Sequence, residues 1–281
     1  MSHQPRFTFS LGSIAAIAAL VLAGLWVSAA ESNGNRIVVP LSDPSRPATL
    51  KVHLVNGGIT VKGYDGKEII VEPRGHDRES PESEGSGGMR RIPQTATWLT
   101  VDSENNEVNI KTDALHQDVS LNITVPHHTS LSLSSINGGE IVVSDVEGEL
   151  DVNNTNGGVT LNNVSGSAVA HSLNGRVKAT FTRVDPQKPL AFSSMNGNID
   201  VTLPPDLKAN LSLRTDNGAI YSDFNVQVQP ALSLQAEENG QGAGGKYRVQ
   251  AEKTLHATVN GGGPEIQIKN FNGNIYLRKG K

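Results

Sequence analysis

Leu190-Ala191-Phe192-Ser193-Ser194-Met195-Asn196-Gly197-Asn198-Ile199-Asp200-Val201 is the stretch on which the fold turns. Before its Asn-Gly pair, apolar Leu190 and Phe192 alternate with polar or small residues. After the pair, Ile199 and Val201 do the same. Alternation with period two is the signature of a strand with one buried face. Ser194 keeps the inward parity of Leu190 and Phe192 although it is polar.

The arrangement repeats. Asn-Gly recurs at Asn56, Asn137, Asn156, Asn174, Asn196, Asn217, Asn260 and Asn272. From Asn137 to Asn217 the steps are 19, 18, 22 and 21 residues, and Asn260 lies 43 beyond Asn217, about twice that period. Three residues after the Asn lie Ile59, Val159, Val177, Ile199, Ile220 and Ile275. Five after lie Val61, Leu161, Ala179, Val201 and Leu277, with Ser222 the exception. The copy at Asn137 is displaced by one, onto Ile141 and Val143. Four before the Asn stand Leu133, Val152, Ala170, Phe192 and Leu213, and six before stand Leu131, Leu150, Ala168, Leu190 and Leu211. Each repeat is thus two short strands joined by Asn-Gly, and a period near twenty residues reads as a solenoid or another array.

Two architectures place like residues in like columns. In an antiparallel meander or sandwich, Asn-Gly is a type I′ hairpin turn. In a parallel β-solenoid, each coil of about twenty residues stacks on the last. The column two before the Asn reads Ser135, Asn154, Ser172, Ser194, Thr215, polar on the inward parity. A hairpin has no use for that column, whereas stacked coils can run hydrogen-bonded ladders up a corner. Val146-Glu147-Gly148 and Val164-Ser165-Gly166 mark a second, different corner. The reading favours the parallel solenoid; either way the chain is all-β, and no window carries helical spacing.

Composition agrees with a thin, repetitive core. Of 281 residues, 36% are hydrophobic and 4% aromatic, while Gly numbers 29. A net charge of -4, from 24 Lys+Arg against 28 Asp+Glu, argues against a nucleic-acid binder, which needs a basic face. With no cysteine there is no disulfide framework, thiol nucleophile or Cys-ligated metal.

Residues 1–30 read as an address. Arg6 precedes an uncharged apolar run, Leu11–Ala30, closing on Ser28-Ala29-Ala30 before Glu31. That is the layout of a secretory signal cleaved between Ala30 and Glu31. An uncleaved anchor is the rival, since about twenty apolar residues span a bilayer. The expected organisation is a signal over 1–30, an N-terminal β segment over 31–73, a charged Gly/Ser-rich insert over 74–93, and the main array over 94–281. Trp98–Val101 and Val108–Ile110 read as a hairpin, Asn239–Gly245 as a flexible loop, and Arg278-Lys279-Gly280-Lys281 as a basic tail blunting an exposed edge.

Chemical motifs are sparse. Gly240–Gly245 has no Lys-Ser/Thr pair and opens no helix, so it is no phosphate loop. The repeats lack the Asp that calcium-binding nonapeptides place in every copy. His127-His128 point to opposite faces if they lie in a strand, which suits no shared metal. No cofactor is expected. Asn122-Ile123-Thr124, Asn163-Val164-Ser165 and Asn210-Leu211-Ser212 fit the glycosylation pattern, which an Asn-rich solenoid generates by chance.

The outward face after each corner is more informative. Four residues after the Asn it reads Thr160, Lys178, Asp200, Tyr221; two after, Arg176, Asn198, Ala219. At about 4.8 Å between coils these form one contiguous strip. The strip suits the holding or cleaving of acidic sugars; as an ordinary solvated face it would carry a cross-coil Lys178–Asp200 pair.

Ser135-Ile136-Asn137-Gly138-Gly139, Ser194 through Pro204 and Thr215-Asp216-Asn217-Gly218-Ala219-Ile220 resemble the bacterial putative adhesin family, exported β-strand-repeat proteins of unknown function. Leu121-Asn122-Ile123-Thr124-Val125-Pro126 is similar to the strand-then-Pro segment leading into that family's repeats. The likeness covers about residues 50–72 and 95–277 and departs at 74–91 and 225–258. It implies a β-solenoid at the cell envelope and supplies no catalytic residues.

The resulting expectation is an exported, non-enzymatic binding or structural module, periplasmic or at the cell surface. Its partner is a glycan or an envelope protein, with membrane contact only through an uncleaved N-terminal segment. The alternatives are a polysaccharide-active β-helix enzyme on Lys178, Asp200 and Tyr221, and an envelope-stress or signalling accessory held by that anchor.

Overall fold

The computed structural model describes residues 36–75, 99–112, 119–229, 235–237, 248–250 and 254–281. Residues 1–35 with the expected Ala30–Glu31 junction, most of the polar insert, Trp98 and the Asn239–Gly245 loop lie outside the described residues. Every regular element among those described is a strand.

The strands are β1 (Ile37–Pro40), β2 (Ala48–Asn56), β3 (Ile59–Tyr64), β4 (Glu68–Gly75), β5 (Leu99–Glu104), β6 (Glu107–Thr112), β7 (Val119–Pro126) and β8 (Thr129–Asn137). There follow β9 (Ile141–Ser144), β10 (Glu147–Asn156), β11 (Val159–Ser172), β12 (Val177–Val184), β13 (Leu190–Asn196), β14 (Ile199–Leu203), β15 (Ala209–Asn217) and β16 (Ile220–Ser222). The chain closes with β17 (Val226–Val228), β18 (Gln235–Glu237), β19 (Arg248–Gln250), β20 (Leu255–Val259), β21 (Glu265–Asn272) and β22 (Ile275–Lys279). β18 and β19 form a separate antiparallel pair.

Strands running into Asn-Gly corners form a leading sheet, and strands leaving them a trailing sheet. In the leading sheet, β6, β2, β8, β10, the second half of β11, β13, β21 and β15 pair in parallel in that order. In the trailing sheet the order is β7, β3, β9, the first half of β11, β12, β14, β22, β16. This is the parallel solenoid that the inward polar column implied. Inward residues of both sheets, among them Leu133, Val152, Ala170, Phe192, Ile199 and Ile275, meet in one buried core. Neighbouring coils complete that core, so a few aliphatics per strand suffice.

Two hydrogen-bond ladders climb the Asn-Gly corner. On the outside, Nδ2 of Asn156, Asn174, Asn196, Asn272 and Asn217 each donates to Oδ1 of the preceding coil's Asn, at 2.8–3.0 Å, beginning from Asn137. On the inside, Ser135, Asn154, Ser172, Ser194, Asn270 and Thr215 donate to the main-chain oxygens of Gly57, Gly139, Gly157, Gly175, Gly197 and Gly273, at 2.8–3.1 Å. These side chains, buried except for the half-buried Thr215, satisfy corner carbonyls that the stacked coils shield from solvent. Only glycine fits the turn itself: a Cβ on Gly197 would sit 2.4 Å from the Gly175 oxygen. At the second corner Asp145 and Asn163 take left-handed conformations, with φ of 59° and 52°.

Chain order and stacking order agree from β8 to β14 and differ at both ends. β2/β3, the first coil in sequence, lies between β6/β7 and β8/β9. β21/β22, the last, lies between β13/β14 and β15/β16. At each end a short arch makes the crossing. Residues 65–67 join β3 to β4 across β7, which pairs with both. Residues 260–264 join β20 to β21 across β15, which pairs with both. Antiparallel β5, β4 and β1 cover the first end, and β20 and β17 cover the leading sheet at the other.

Two expectations change. Asn260-Gly261 lies on the repeat's period but ends the antiparallel β20 rather than turning a coil. The basic tail does not blunt an edge, because β22 pairs with β14 and β16 on its two sides.

Candidate functional site

The outer face of the trailing sheet is built by the strands that follow the Asn-Gly corners. Their alternation turns Ile199, Val201, Ile275 and Leu277 into the core and the residues between them outward. Backbone register then lines up Val142, Thr160, Lys178, Asp200, Tyr276 and Tyr221 on successive strands. Thr160, Lys178 and Asp200 are direct neighbours, as their spacing predicted. Tyr221 is not next to Asp200, because the intercalated last coil puts Tyr276 between them. The second column reads Arg176, Asn198, Asn274 and Ala219, joined by Asn274 N–H donating to Asn198 Oδ1 and Ala219 N–H donating to Asn274 Oδ1, both at 2.9 Å.

The aromatic end is ordered by stacking. The rings of Tyr221 and Tyr276 lie 5.2 Å apart at 10° to one another. Asn274 Nδ2 donates to the Tyr276 hydroxyl at 2.9 Å, and the Arg278 guanidinium lies 5.3 Å from the Tyr276 ring centre. Arg278 Nε also donates to Asp200 Oδ1 at 2.8 Å, and this bond holds the guanidinium pKa above its usual value. The anticipated Lys178–Asp200 ion pair is therefore replaced by Arg278–Asp200. Lys178 is exposed, without an ion-pair partner among the described residues. At the other end Glu140 meets the Thr160 hydroxyl and lies 3.9 Å from Arg176. Tyr221 itself is 52% exposed.

The strip is thus an open, nearly flat row: a hydroxyl, a free ammonium, an Arg-clamped carboxylate and two stacked phenols. Such a row offers hydrogen bonds, positive charge and a ring face. Sequence reasoning missed Asn274, Tyr276 and Arg278. Ile275 and Leu277 marked Tyr276 as outward, but nothing in the spacing placed that coil beside Asp200.

The remaining candidates hold no common ion. His127 Nδ1 lies 2.6 Å from the Asp145 carbonyl oxygen, while His128 Nδ1 lies 3.7 Å from Glu147. Among the described residues no group of His, Cys, Asp and Glu could hold a metal. Two shallow recesses of about 320 Å³ lie on the leading sheet instead. One is lined by Asn210, Ser212, Gln229, His256 and Glu265, the other by Ser130, Ser132, Glu149, Asp151 and Val169.

No curated protein matches the chain. A putative cell adhesion protein from Clostridium sporogenes is similar over 87% of this chain and 99% of its own, at 14% identity and a TM-score of 0.43. A putative adhesin from Bacteroides fragilis is similar over 87% and 95%, at 12% identity and a TM-score of 0.36. The Toastrack DUF4097 profile matches residues 30–262, and with that match the chain belongs to the Toastrack DUF4097 family.

Proposed function

We propose that the protein is an exported, non-enzymatic binding module of the cell envelope, and that the trailing-sheet strip is its contact surface. The observation that carries this reading is the register that sets Thr160, Lys178, Asp200, Tyr276 and Tyr221 side by side on an open face. A row of this kind suits an extended ligand held by many weak contacts rather than a small one enclosed in a pocket. Stacked phenols beside a free ammonium and Arg176 favour an acidic glycan, whose rings lie on aromatics and whose carboxylates meet cations.

The carboxylates speak for binding rather than glycoside cleavage. Hydrolysis of a glycosidic bond uses two carboxyl groups about 5–9.5 Å apart. On this face Asp200 is clamped by Arg278, and Glu140 stands three coils away, about 14 Å by strand spacing.

The decisive experiment measures binding of the purified 31–281 chain to a panel of acidic and neutral envelope glycans. Lys178→Ala with Tyr221→Ala should weaken acidic-glycan binding at least about tenfold. Unchanged binding would remove the strip as the site, and release of shortened glycan would replace the binding reading with the enzymatic one. N-terminal sequencing of the protein from its host tests export separately: a start at Glu31 is expected, and an intact Met1 segment would favour the anchored accessory.

A further inference from the structure

Asn-Gly is chemically fragile. Glycine presents no side chain, so its main-chain nitrogen can reach the side-chain carbon of the preceding asparagine. The described Asn-Gly pairs fall into two environments. In the corner ladder, Asn156, Asn174, Asn196 and Asn272 each donate through Nδ2 and accept through Oδ1. The N–H groups of Gly57, Gly197 and Gly273 are also engaged, donating to the main-chain oxygens of Asn137, Asn272 and Asn217 at 2.8, 3.0 and 2.9 Å. At Asn196 and Asn272, therefore, the attacking nitrogen and the amide under attack are both held.

Asn260-Gly261 is different. It lies in the arch that carries the chain from β20 over β15 to β21. Asn260 is exposed and left-handed, with φ of 50°, and Gly261 follows at φ 87°. Apart from its chain neighbours, no heavy atom of the described residues lies within 4 Å of where a Cβ on Gly261 would be. Among the described residues the Gly261 N–H has no hydrogen-bond partner. Yet the Asn260 amide does structural work: Nδ2 donates to the Leu207 carbonyl at 2.7 Å, pinning the arch to the start of β15. The arch is tight there, since a Cβ on Gly263 would sit 2.3 Å from the Lys208 oxygen.

We propose that Asn260-Gly261 is a deamidation site that loosens the last coil as the protein ages, while the ladder asparagines keep their amides. The Gly261 nitrogen gives up its proton and bonds to Asn260 Cγ, and the side-chain nitrogen leaves as ammonia. Water then opens the cyclic imide to aspartate or isoaspartate, so one water enters for each ammonia lost. Aspartate places a carboxylate against the Leu207 carbonyl where a donor stood. Isoaspartate also lengthens the backbone of an arch already in contact with β15. Either product weakens the clasp on β21, the strand that leads into β22 with its Tyr276 and Arg278.

Peptide mapping of the full protein after incubation at mildly alkaline pH tests the chemistry. The tryptic segment 254–269 contains Asn260 as its one Asn-Gly, and the adjoining 270–278 contains Asn272. The first should convert at least about tenfold faster than the second while the protein is folded, and at a similar rate once it is denatured. Equal folded rates, or an intact Asn260 after the denatured chain has converted, would overturn the proposal. The structural consequence is read on Asn260→Asp, with Asn260→Gln as the variant that retains a donor. Amide exchange in β21 should quicken roughly tenfold in Asn260→Asp relative to the parent protein. Unchanged exchange would overturn the loosening even if the chemistry holds. Asn33-Gly34 and Asn239-Gly240 fall in other tryptic segments and do not interfere.

Discussion

The interior coils, from β8 to β14, and the coils at the two chain ends solve the same packing problem differently. Interior coils follow one another in sequence, and from β8 to β14 each coil pairs with the next one along the chain. The first and last coils step inside a neighbour, so Ala48 pairs with Thr129 and Leu190 with Ile266 across long stretches of chain. In a stack where each repeat touches only its neighbours, an end repeat has half the interface of an interior one. Intercalation gives the first and last coils two partners each and leaves β6/β7 and β15/β16 outermost, with antiparallel strands covering β6, β7 and β15. The longer loops this requires cost little, because closure entropy grows slowly with length. β22, which would fray at an edge, is tied down between β14 and β16 instead.

If neighbour number governs stability, the largest loss comes from the interior. Phe192 is 1% exposed, meets Phe181 edge-to-face at 6.1 Å, and stands in register between Ala170 and Ile268. Phe192→Ala should cost about 3–5 kcal/mol in urea unfolding, because the coils on both sides hold the cavity open. Phe224 sits beyond β16 at the end of the stack, 6% exposed beneath Lys279. Phe224→Ala should cost less than half as much, since an end can relax into the gap. Equal costs would show that the ends are as constrained as the middle.

The inner ladder gives a smaller version of the same contrast. Ser172 is fully buried and donates to the Gly157 oxygen at 2.9 Å. Ser172→Ala leaves that carbonyl unpaired in the core and should cost about 1–3 kcal/mol. Thr215 makes the same bond to Gly273 at the last coil, where it is only half-buried and water can take its place. Thr215→Val should cost no more than about 1 kcal/mol, and the two losses should add, the sites being several coils apart. A cost at Thr215 matching that at Ser172 would break the distinction.

These contrasts also mark what the amino-acid order could reveal. Ser135, Asn154, Ser172 and Ser194 announced stacked coils, because a polar residue on an inward parity needs a partner directly above or below. The strip from Thr160 to Asp200 followed from the same periodicity. What periodicity cannot encode is which coil lies beside which. Asn272 carries the same signature whether its coil ends the stack or enters it, so Tyr276 and Arg278 were readable as outward residues but not as neighbours of Asp200. Asn260 shows the converse. Its dipeptide, and Thr258 two before it, match the corners in sequence, yet Thr258 pairs with Asn210 in an antiparallel ladder.

The smallest effect lies where the first coil meets the outermost one. Lys51 Nζ donates to Glu107 Oε1 at 2.6 Å, joining β2 to β6, and Asn109 Nδ2 donates to the same oxygen at 3.1 Å. The bond from Lys51, with the lesser one from Asn109, holds the Glu107 pKa below the ordinary glutamate value against a slight opposing effect of burial. A carboxyl depressed by folding stabilises the fold above its unfolded pKa and loses that contribution as pH falls through the folded value. Glu107 should therefore titrate below the ordinary glutamate value when followed by carbon-detected NMR, and Lys51→Met should move it back toward that value. The same substitution should lower the melting temperature slightly at neutral pH and not at all in acid, where Glu107 is protonated in both proteins. Both side chains are about 40% exposed, so the shift stays small and shrinks with added salt. A salt-independent loss in Lys51→Met would assign the junction to packing of the lysine stem along β6 rather than to its charge.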